Sequence, residues 1–446
     1  MSDLATGSSE IGNPKSAYAK LPAMKHLAFP HGVTRDDLLA WYRANRARTR
    51  WIFDLITPDA YYDRPIALRN PIVFYEGHIP AFGVNTLLKL ALRQRGIDEH
   101  YEQLFERGID PEDETVVKSP TESWPSRAEV QAYAAEADAR LEHAIANDVL
   151  EDANIPHLRG GEAFFTILEH EQMHQETLLY MLHSLPYDKK VAPPEKRTDY
   201  RPPATDHTAV HIPAGRVTLG AARGGAFGWD NEFPSRMVEV DAFEIDRHNV
   251  TNGDWLAYMQ ETGAPAPHFW EQRDGQWYRR GLFASEPLPL EAPVYVTHDQ
   301  AAAHAASKSK RLPTEAEYHR AAYGTPSGEE REQPWGDALP DATRGNFDFA
   351  SWDPVAIGSY PAGASAWGVH DLVGNGWEWT STIFDGFPGF TAMPSYPLYS
   401  ADFFDGAHYV IKGAAPVTAR ELIRRPFRNW FRPNYPYVFA TFRCVR

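Results

Sequence analysis

Along residues 34–185, apolar positions recur every three or four residues, the spacing that gathers them on one side of a helix. The first run, TRDDLLAWYRANRARTRWIFDLI, opens with Thr34, whose hydroxyl can cap a helix, and with Asp36 and Asp37, whose charges suit a first turn. PIVFYEGHIPAFGVNTLLKLALR predicts a second helix. SRAEVQAYAAEADARLEHAIAND predicts a third, with Ser126 as cap and Glu129 three residues on. A fourth runs from about Glu162 through FFTILEHEQMHQETLLYMLHSL and is strongly apolar on one side. Four such helices predict a bundle.

The pattern changes after Leu185. Residues 186–206, PYDKKVAPPEKRTDYRPPATD, combine prolines with charges and predict an extended linker. From 207 to 446 the chain reads as short strand-like runs, such as AVHIPAGRVTLGA and RMVEVDAFEIDRHNVT, separated by Gly, Pro and Trp-rich turns. Helices are few there. LPTEAEYHRAAYG is one, with a capping box from Thr314 to Glu317 and Gly324 to end it. Residues 1–33 are small and polar and predict a flexible terminus. The expected fold class is therefore α+β: a helical bundle over 34–185, a linker, and a strand-rich second domain.

Composition narrows the function. A formal charge of −16 without a dense Lys/Arg stripe disfavours nucleic acid as a partner. No run approaches the roughly 20 apolar residues of a membrane span, and the N-terminus lacks the charged-then-apolar order of a secretory signal, so a cytoplasmic location is expected. The single cysteine, Cys444, permits neither an internal disulfide nor a thiolate metal cluster, and is read as a buried small apolar residue.

Any metal must then use His, Asp or Glu. In HEQMHQE, His170 and His174 are four residues apart and stack on one helix face, a spacing that can chelate one ion. The surrounding Phe164, Phe165, Ile167, Leu168, Leu178 and Leu179 turn the pair toward the bundle interior, where a partner is needed. His78, in YEGHIPAF, lies mid-way along another bundle helix behind Gly77, where close approach is possible. A neutral three-histidine set leaves about three open coordination positions, whereas a closed structural zinc site would add a fourth protein ligand. Glu171 and Glu176 are offset around the helix and are read as supporting or surface residues.

The His78 helix with HEQMHQE resembles the DinB-like bundle. RLPTEAEY at Arg311 to Tyr318, GVHDLVGNGWEWT at Gly368 to Thr380 and FRNWFRPNYPYVFATFRCVR from Phe427 resemble the formylglycine-generating-enzyme/sulfatase-modifying-factor fold, a C-type-lectin-like domain. Together they resemble the ergothioneine-type sulfoxide synthases, or hercynine oxygenases, and the related selenoneine synthases. The resemblance implies Fe(2+) on His78, His170 and His174, and small-molecule substrates: hercynine, O2 and a thiol or selenosugar donor. It also implies a hercynine pocket lined by Asn429 and Trp430, and a tyrosine near the bound oxygen, for which Tyr396 and Tyr399 are the candidates and Tyr435 and Tyr437 within possible reach. Formylglycine generation itself requires a cysteine pair that this chain lacks.

The donor pocket departs from the thiol-using pattern. Where that pattern has an acidic residue and an arginine to grip an amino acid, this chain has Phe431 and Tyr435; its RGGSW segment is KGAAP, and a common glutamine is Met173. A neutral, aromatic-lined pocket favours a selenosugar donor and the selenoneine branch. Two other readings stay open: a DinB-like zinc or nickel thiol transferase, which needs no oxygen, and a non-enzymatic lectin-like binding protein. Asn375, in GNGWEW, is a candidate ligand for a structural calcium.

Overall fold

The computed structural model describes residues 34–106, 124–194 and 208–446. The terminus expected over 1–33 lies outside the described residues. Helix α1 (Arg35–Phe53) begins at Thr34, whose side chain and that of Asp37 cap one another's backbone amides. Helix α2 (Ile72–Gly83) passes through Pro80 and continues as a wider π-helical segment, Val84–Ala91. A short α3 (Glu99–Leu104) follows, then α4 (Arg127–Asn147), capped reciprocally by Ser126 and Glu129. Helix α5 (Glu162–Ser184) starts after Gly160 and Gly161, both at positive φ, which let the chain turn sharply from the preceding 3-10 turn. Helices α1, α2, α4 and α5 pack as the bundle.

The start of the expected linker is not extended. Tyr187–Lys189 forms a 3-10 turn, and Lys190 bridges Ile56 and is buried against the bundle. Residues 195–207 lie outside the described residues.

The second domain contains four small sheets. Strands β1 (Ala209–Ile212), β2 (Gly215–Leu219), β3 (Arg236–Val240) and β4 (Phe243–Asp246) pair as β1–β4 and β2–β3, both antiparallel. Strands β5 (Trp270–Arg273), β6 (Gln276–Arg280) and β7 (Ser285–Pro287) form a meander. The central sheet has the order β10–β9–β8–β11, from β8 (Gly376–Ile383), β9 (Tyr409–Ala414), β10 (Asn429–Phe431) and β11 (Ala440–Thr441).

Three helices accompany these sheets, two more than the sequence reading found: α6 (Asn252–Thr262), α7 (His298–Ser307) and the expected α8 (Glu315–Tyr323). Gly324 ends α8 in an extended rather than a left-handed conformation. Asn375, the candidate calcium ligand, is held by its side-chain amide. Its Oδ1 accepts from Asn346 Nδ2 (3.0 Å) and Val355 N (2.9 Å), and its Nδ2 donates to Val355 O (2.9 Å), so the amide is consumed in holding loops together.

The two halves share a core. One apolar cluster runs from Ile52, Tyr61 and Leu178 in the bundle to Trp377, Phe439 and Phe442 in the second domain. Helix α5 is its spine, carrying the HEQMHQE segment along the seam.

Candidate metal centre

His170 and His174 project from one face of α5, and His78 meets them from α2. Their Nε2 atoms converge: His78 to His174 is 3.2 Å and His174 to His170 is 3.1 Å. Gly77 is what allows α2 in so close, because a Cβ there would lie 2.4 Å from the Phe105 ring. The Phe105 carbonyl in turn engages His78 Nδ1 at 2.8 Å, which places that proton on Nδ1 and turns the Nε2 lone pair toward the other two rings. Phe74 stacks on His78 (4.9 Å, 18°) and Phe82 on His170 (3.6 Å, 13°), fixing both ring planes.

The three Nε2 atoms face one another within hydrogen-bonding distance. Burial lowers the proton affinity of His174 well below that of an ordinary histidine, and the fields of His78 and Arg69 lower it further. Neutral imidazoles in this arrangement suit a shared cation, and separations of 3.1–3.2 Å are those of nitrogens that hold one ion at about 2.1 Å. The three histidines are thus a group that could hold a metal ion, and among the described residues they are the one such His/Cys/Asp/Glu group. Among the described residues, no carboxylate completes a fourth position in it.

Glu171 and Glu176 point away from the histidines, as their offsets on α5 require, but neither is a surface residue. Glu171 accepts from Arg46 (2.7 Å) and Thr49 (2.6 Å) on α1. Glu176 reaches across the seam to Trp377 Nε1 (2.6 Å) and Thr418 Oγ1 (2.7 Å).

The second domain carries two aromatic clusters near the bundle, one of which reaches the His170 ring through Tyr396. On the His170 side, Tyr396 lies 6.2 Å from the His170 ring and 5.2 Å from Phe82, centroid to centroid. Tyr399 lies one layer further out: it stacks on Trp229 (3.9 Å), and its hydroxyl donates to Met173 Sδ at 3.3 Å. Burial, with Asp230, Glu232 and Glu169 nearby, raises the Tyr399 phenol well above its ordinary range. Trp430 stands edge-on to Tyr399 (5.3 Å, 75°), beside Phe403 (5.4 Å), with one indole face covered by Phe384 (4.0 Å, 7°). Asn429 Oδ1 accepts from Trp430 N at 2.9 Å, leaving its amide NH2 as a donor.

Alternation along β10 sends the next side chain to the other face. Phe431 stacks on Tyr435 (5.3 Å, 14°), and Tyr437 meets Tyr435 edge-on (5.1 Å). Tyr180 of α5 and Arg69, from the loop ahead of α2, close this second cluster. On the bundle side, Tyr75 lies 5.5 Å from the His174 ring. Sequence reasoning missed Arg69, Tyr75 and Tyr180; Tyr75, three residues before His78 on α2, carried a periodicity signal, whereas Arg69 carried none. Cys444 is buried beside Asp246 with its thiol pushed up to about 12, which leaves it an unreactive apolar residue.

Comparison with known proteins agrees with this architecture. Residues 42–178 match the DinB superfamily, and residues 195–446 match the sulfatase-modifying factor enzyme 1-like domain. The chain is 35% identical to hercynine oxygenase of Mycolicibacterium thermoresistibile over 64% of its own length and 68% of the relative's. Against hercynine oxygenase of Mycolicibacterium smegmatis the identity is again 35%, over 64% of this chain and 72% of the relative. Ergothioneine biosynthesis protein 1 of Neurospora crassa is 29% identical, over 93% of this chain and 57% of that protein. With a helical bundle, a sulfatase-modifying-factor-type domain and a three-histidine centre at their seam, this chain belongs to the hercynine oxygenase, or ergothioneine-type sulfoxide synthase, family.

Proposed function

We propose that the protein joins C2 of the hercynine imidazole to a chalcogen donor in an oxygen-dependent reaction at iron(II) held by His78, His170 and His174. The observation that carries this reading is the convergence of the three Nε2 atoms, with no carboxylate in the group among the described residues. The overall change balances as follows: the C2–H and chalcogen–H bonds break, a C2–chalcogen bond forms, and one O2 is consumed, one atom going to the chalcogen and the other to water. The iron supplies one-electron oxidation and open positions for reactants.

The residues of the chain supply the rest. Trp430, Phe403 and Tyr399 form an aromatic enclosure, and an indole face attracts a quaternary ammonium such as the trimethylated nitrogen of hercynine. The Asn429 amide NH2 suits its carboxylate. Holding both reactants at adjacent positions replaces an improbable encounter. Tyr396, whose ring lies 6.2 Å from that of His170, and Tyr399, whose hydroxyl donates to Met173 Sδ, are the candidate proton donors, and we favour Tyr396.

Phe431 and Tyr435 offer stacking rather than charge, which supports a selenosugar donor giving a selenoxide or selenoneine precursor. The names of the curated relatives support the alternative, a thiol donor such as cysteine or gamma-glutamylcysteine giving a sulfoxide. Oxygen uptake tests the reaction class. Iron-loaded protein should consume O2 only when hercynine and a donor are both present, whereas a metal-dependent thiol transferase would consume none.

A further inference from the structure

The segment 393–400, which carries Tyr396 and Tyr399, is anchored by two carboxylates from elsewhere in the chain. Its own backbone folds it into consecutive turns: Tyr396 N donates to Met393 O at 3.3 Å, and Tyr399 N donates to Tyr396 O at 3.1 Å. Asp230 ties both ends of the segment to its own domain, Oδ2 accepting from Met393 N at 3.3 Å and Oδ1 from the Ser400 hydroxyl. The other anchor comes from the bundle. Glu162 Oε1 accepts from Ser395 N at 2.9 Å, one residue before Tyr396. Glu162 is the first residue of α5, the helix that carries His170 and His174.

One rigid helix therefore carries both the candidate metal ligands and the clasp on the backbone beside Tyr396. A helix rises about 1.5 Å per residue, so Glu162 and His170 stay about 12 Å apart along the axis of α5. The length of the Glu162 side chain then helps to set where the tyrosine segment sits relative to His170, and the Tyr396 ring stands 6.2 Å from the His170 ring at that setting. We propose that Glu162 is a positioning residue, which through Ser395 N sets the reach of Tyr396 toward the three-histidine centre. This rests on the proposed coupling reaction and adds to it a residue that acts through the backbone of a neighbour rather than on a reactant. A misplacement of about 1 Å can cost about 100-fold in a step that depends on geometry.

Three substitutions separate reach from charge. Glu162→Gln keeps the length and an acceptor oxygen, Glu162→Asp keeps the charge in the first turn of α5 but is one methylene shorter, and Glu162→Ala removes both. The first readout is hydrogen exchange, by mass spectrometry, of the peptide spanning 393–400 in the full-length protein before iron is added. Exchange should rise by about tenfold or more in Glu162→Ala and Glu162→Asp, the loss of one hydrogen bond to a charged group, and Glu162→Gln should recover most of the protection. The second readout is C2 adduct formed per O2 consumed, with iron(II)-loaded protein, hercynine and a mixture of cysteine, gamma-glutamylcysteine and a 1-seleno-sugar. That ratio should fall by about tenfold or more in Glu162→Asp and stay near wild type in Glu162→Gln. Unchanged exchange in Glu162→Ala would overturn the clasp. Faster exchange with an unchanged adduct ratio in Glu162→Asp would overturn the positioning role and leave a structural contact. Glu162→Gln as impaired as Glu162→Ala would overturn reach as the cause and assign the effect to charge at the start of α5. Wild type that forms no adduct and takes up no O2 would sink the coupling reaction and this role with it, whereas the exchange readout still decides whether the bond holds the segment.

Discussion

Glu169, the residue immediately before His170, forms a buried two-point ion pair with Arg424 of the second domain, at 2.8 and 2.9 Å. Arg424 is simultaneously gripped by Glu232 (2.9 and 2.6 Å), and Glu169 also accepts from Trp229 Nε1 at 2.8 Å. The turn of α5 that carries His170 is thereby fixed to the domain that carries Tyr396 and Trp430. Replacing Arg424 with Met would leave two carboxylates buried without their cation, which costs about 3–5 kcal/mol. The expected outcome is a lower urea midpoint and weaker metal retention. An unchanged midpoint would mean that the pair does not fix the seam.

The histidines make a prediction about metal content. Protein reconstituted anaerobically with iron(II) should hold it stoichiometrically, and His78→Ala, His170→Ala or His174→Ala should each abolish retention, because each supplies one of three nitrogens. Iron at 100 times its dissociation constant should add about 2.7 kcal/mol of stability. A chelator should reverse this, as read from the melting temperature.

Tyr396 and Tyr399 should separate on mutation. Tyr396→Phe removes a hydroxyl from the His170 side of the centre and should slow coupling by about 100-fold or more, the scale of a lost proton donor, while donor oxidation continues. Tyr399→Phe removes a hydroxyl held by Met173 and should have a smaller effect. Product ratios by mass spectrometry decide between them.

Acid should loosen the seam through His183. This ring stacks on Phe269 (4.3 Å, 2°) and donates from Nε2 to the Arg280 carbonyl at 2.6 Å; burial lowers it from 6.5 to about 3. Between those values the unfolded chain binds more protons than the folded one, so its contribution is complete above about pH 6.5 and is lost as the pH falls toward about 3. His183→Phe keeps the stack and removes the titration, at a cost of about 1 kcal/mol for the hydrogen bond. Its unfolding midpoint should depend less on pH across that window than wild type; an identical slope would contradict the assignment.

What was legible in the sequence was local. The i, i+4 spacing of His170 and His174, the glycine before His78 and the reciprocal caps at Ser126 and Thr314 are written within a few residues, and the structure shows each in place. The same capping signal stood at Thr251 with Asp254 and at Thr297 with Gln300, but the apolar positions of α6 and α7 are more weakly patterned than those of α8, so neither was found. The second aromatic cluster was not legible, because Arg69 and Tyr435 are 366 residues apart and meet only through the domain seam. Glu169 and Glu176 were hidden for the same reason: their partners, Arg424 and Trp377, belong to the other domain. Trp430 matched a pocket position by motif, yet only packing shows that Phe384 already covers one of its faces.

The most direct test of the central claim is a competition among donors. Iron(II)-loaded protein is given hercynine, O2 and equal amounts of cysteine, gamma-glutamylcysteine and a 1-seleno-sugar in reducing buffer, and the products are identified by mass spectrometry. The account predicts an adduct at the imidazole C2 with the selenium product dominating, and its loss in His174→Ala. A dominant sulfur adduct would return the chain to the thiol-using branch, and no adduct together with no oxygen uptake would contradict the iron-oxygenase reading of the three histidines.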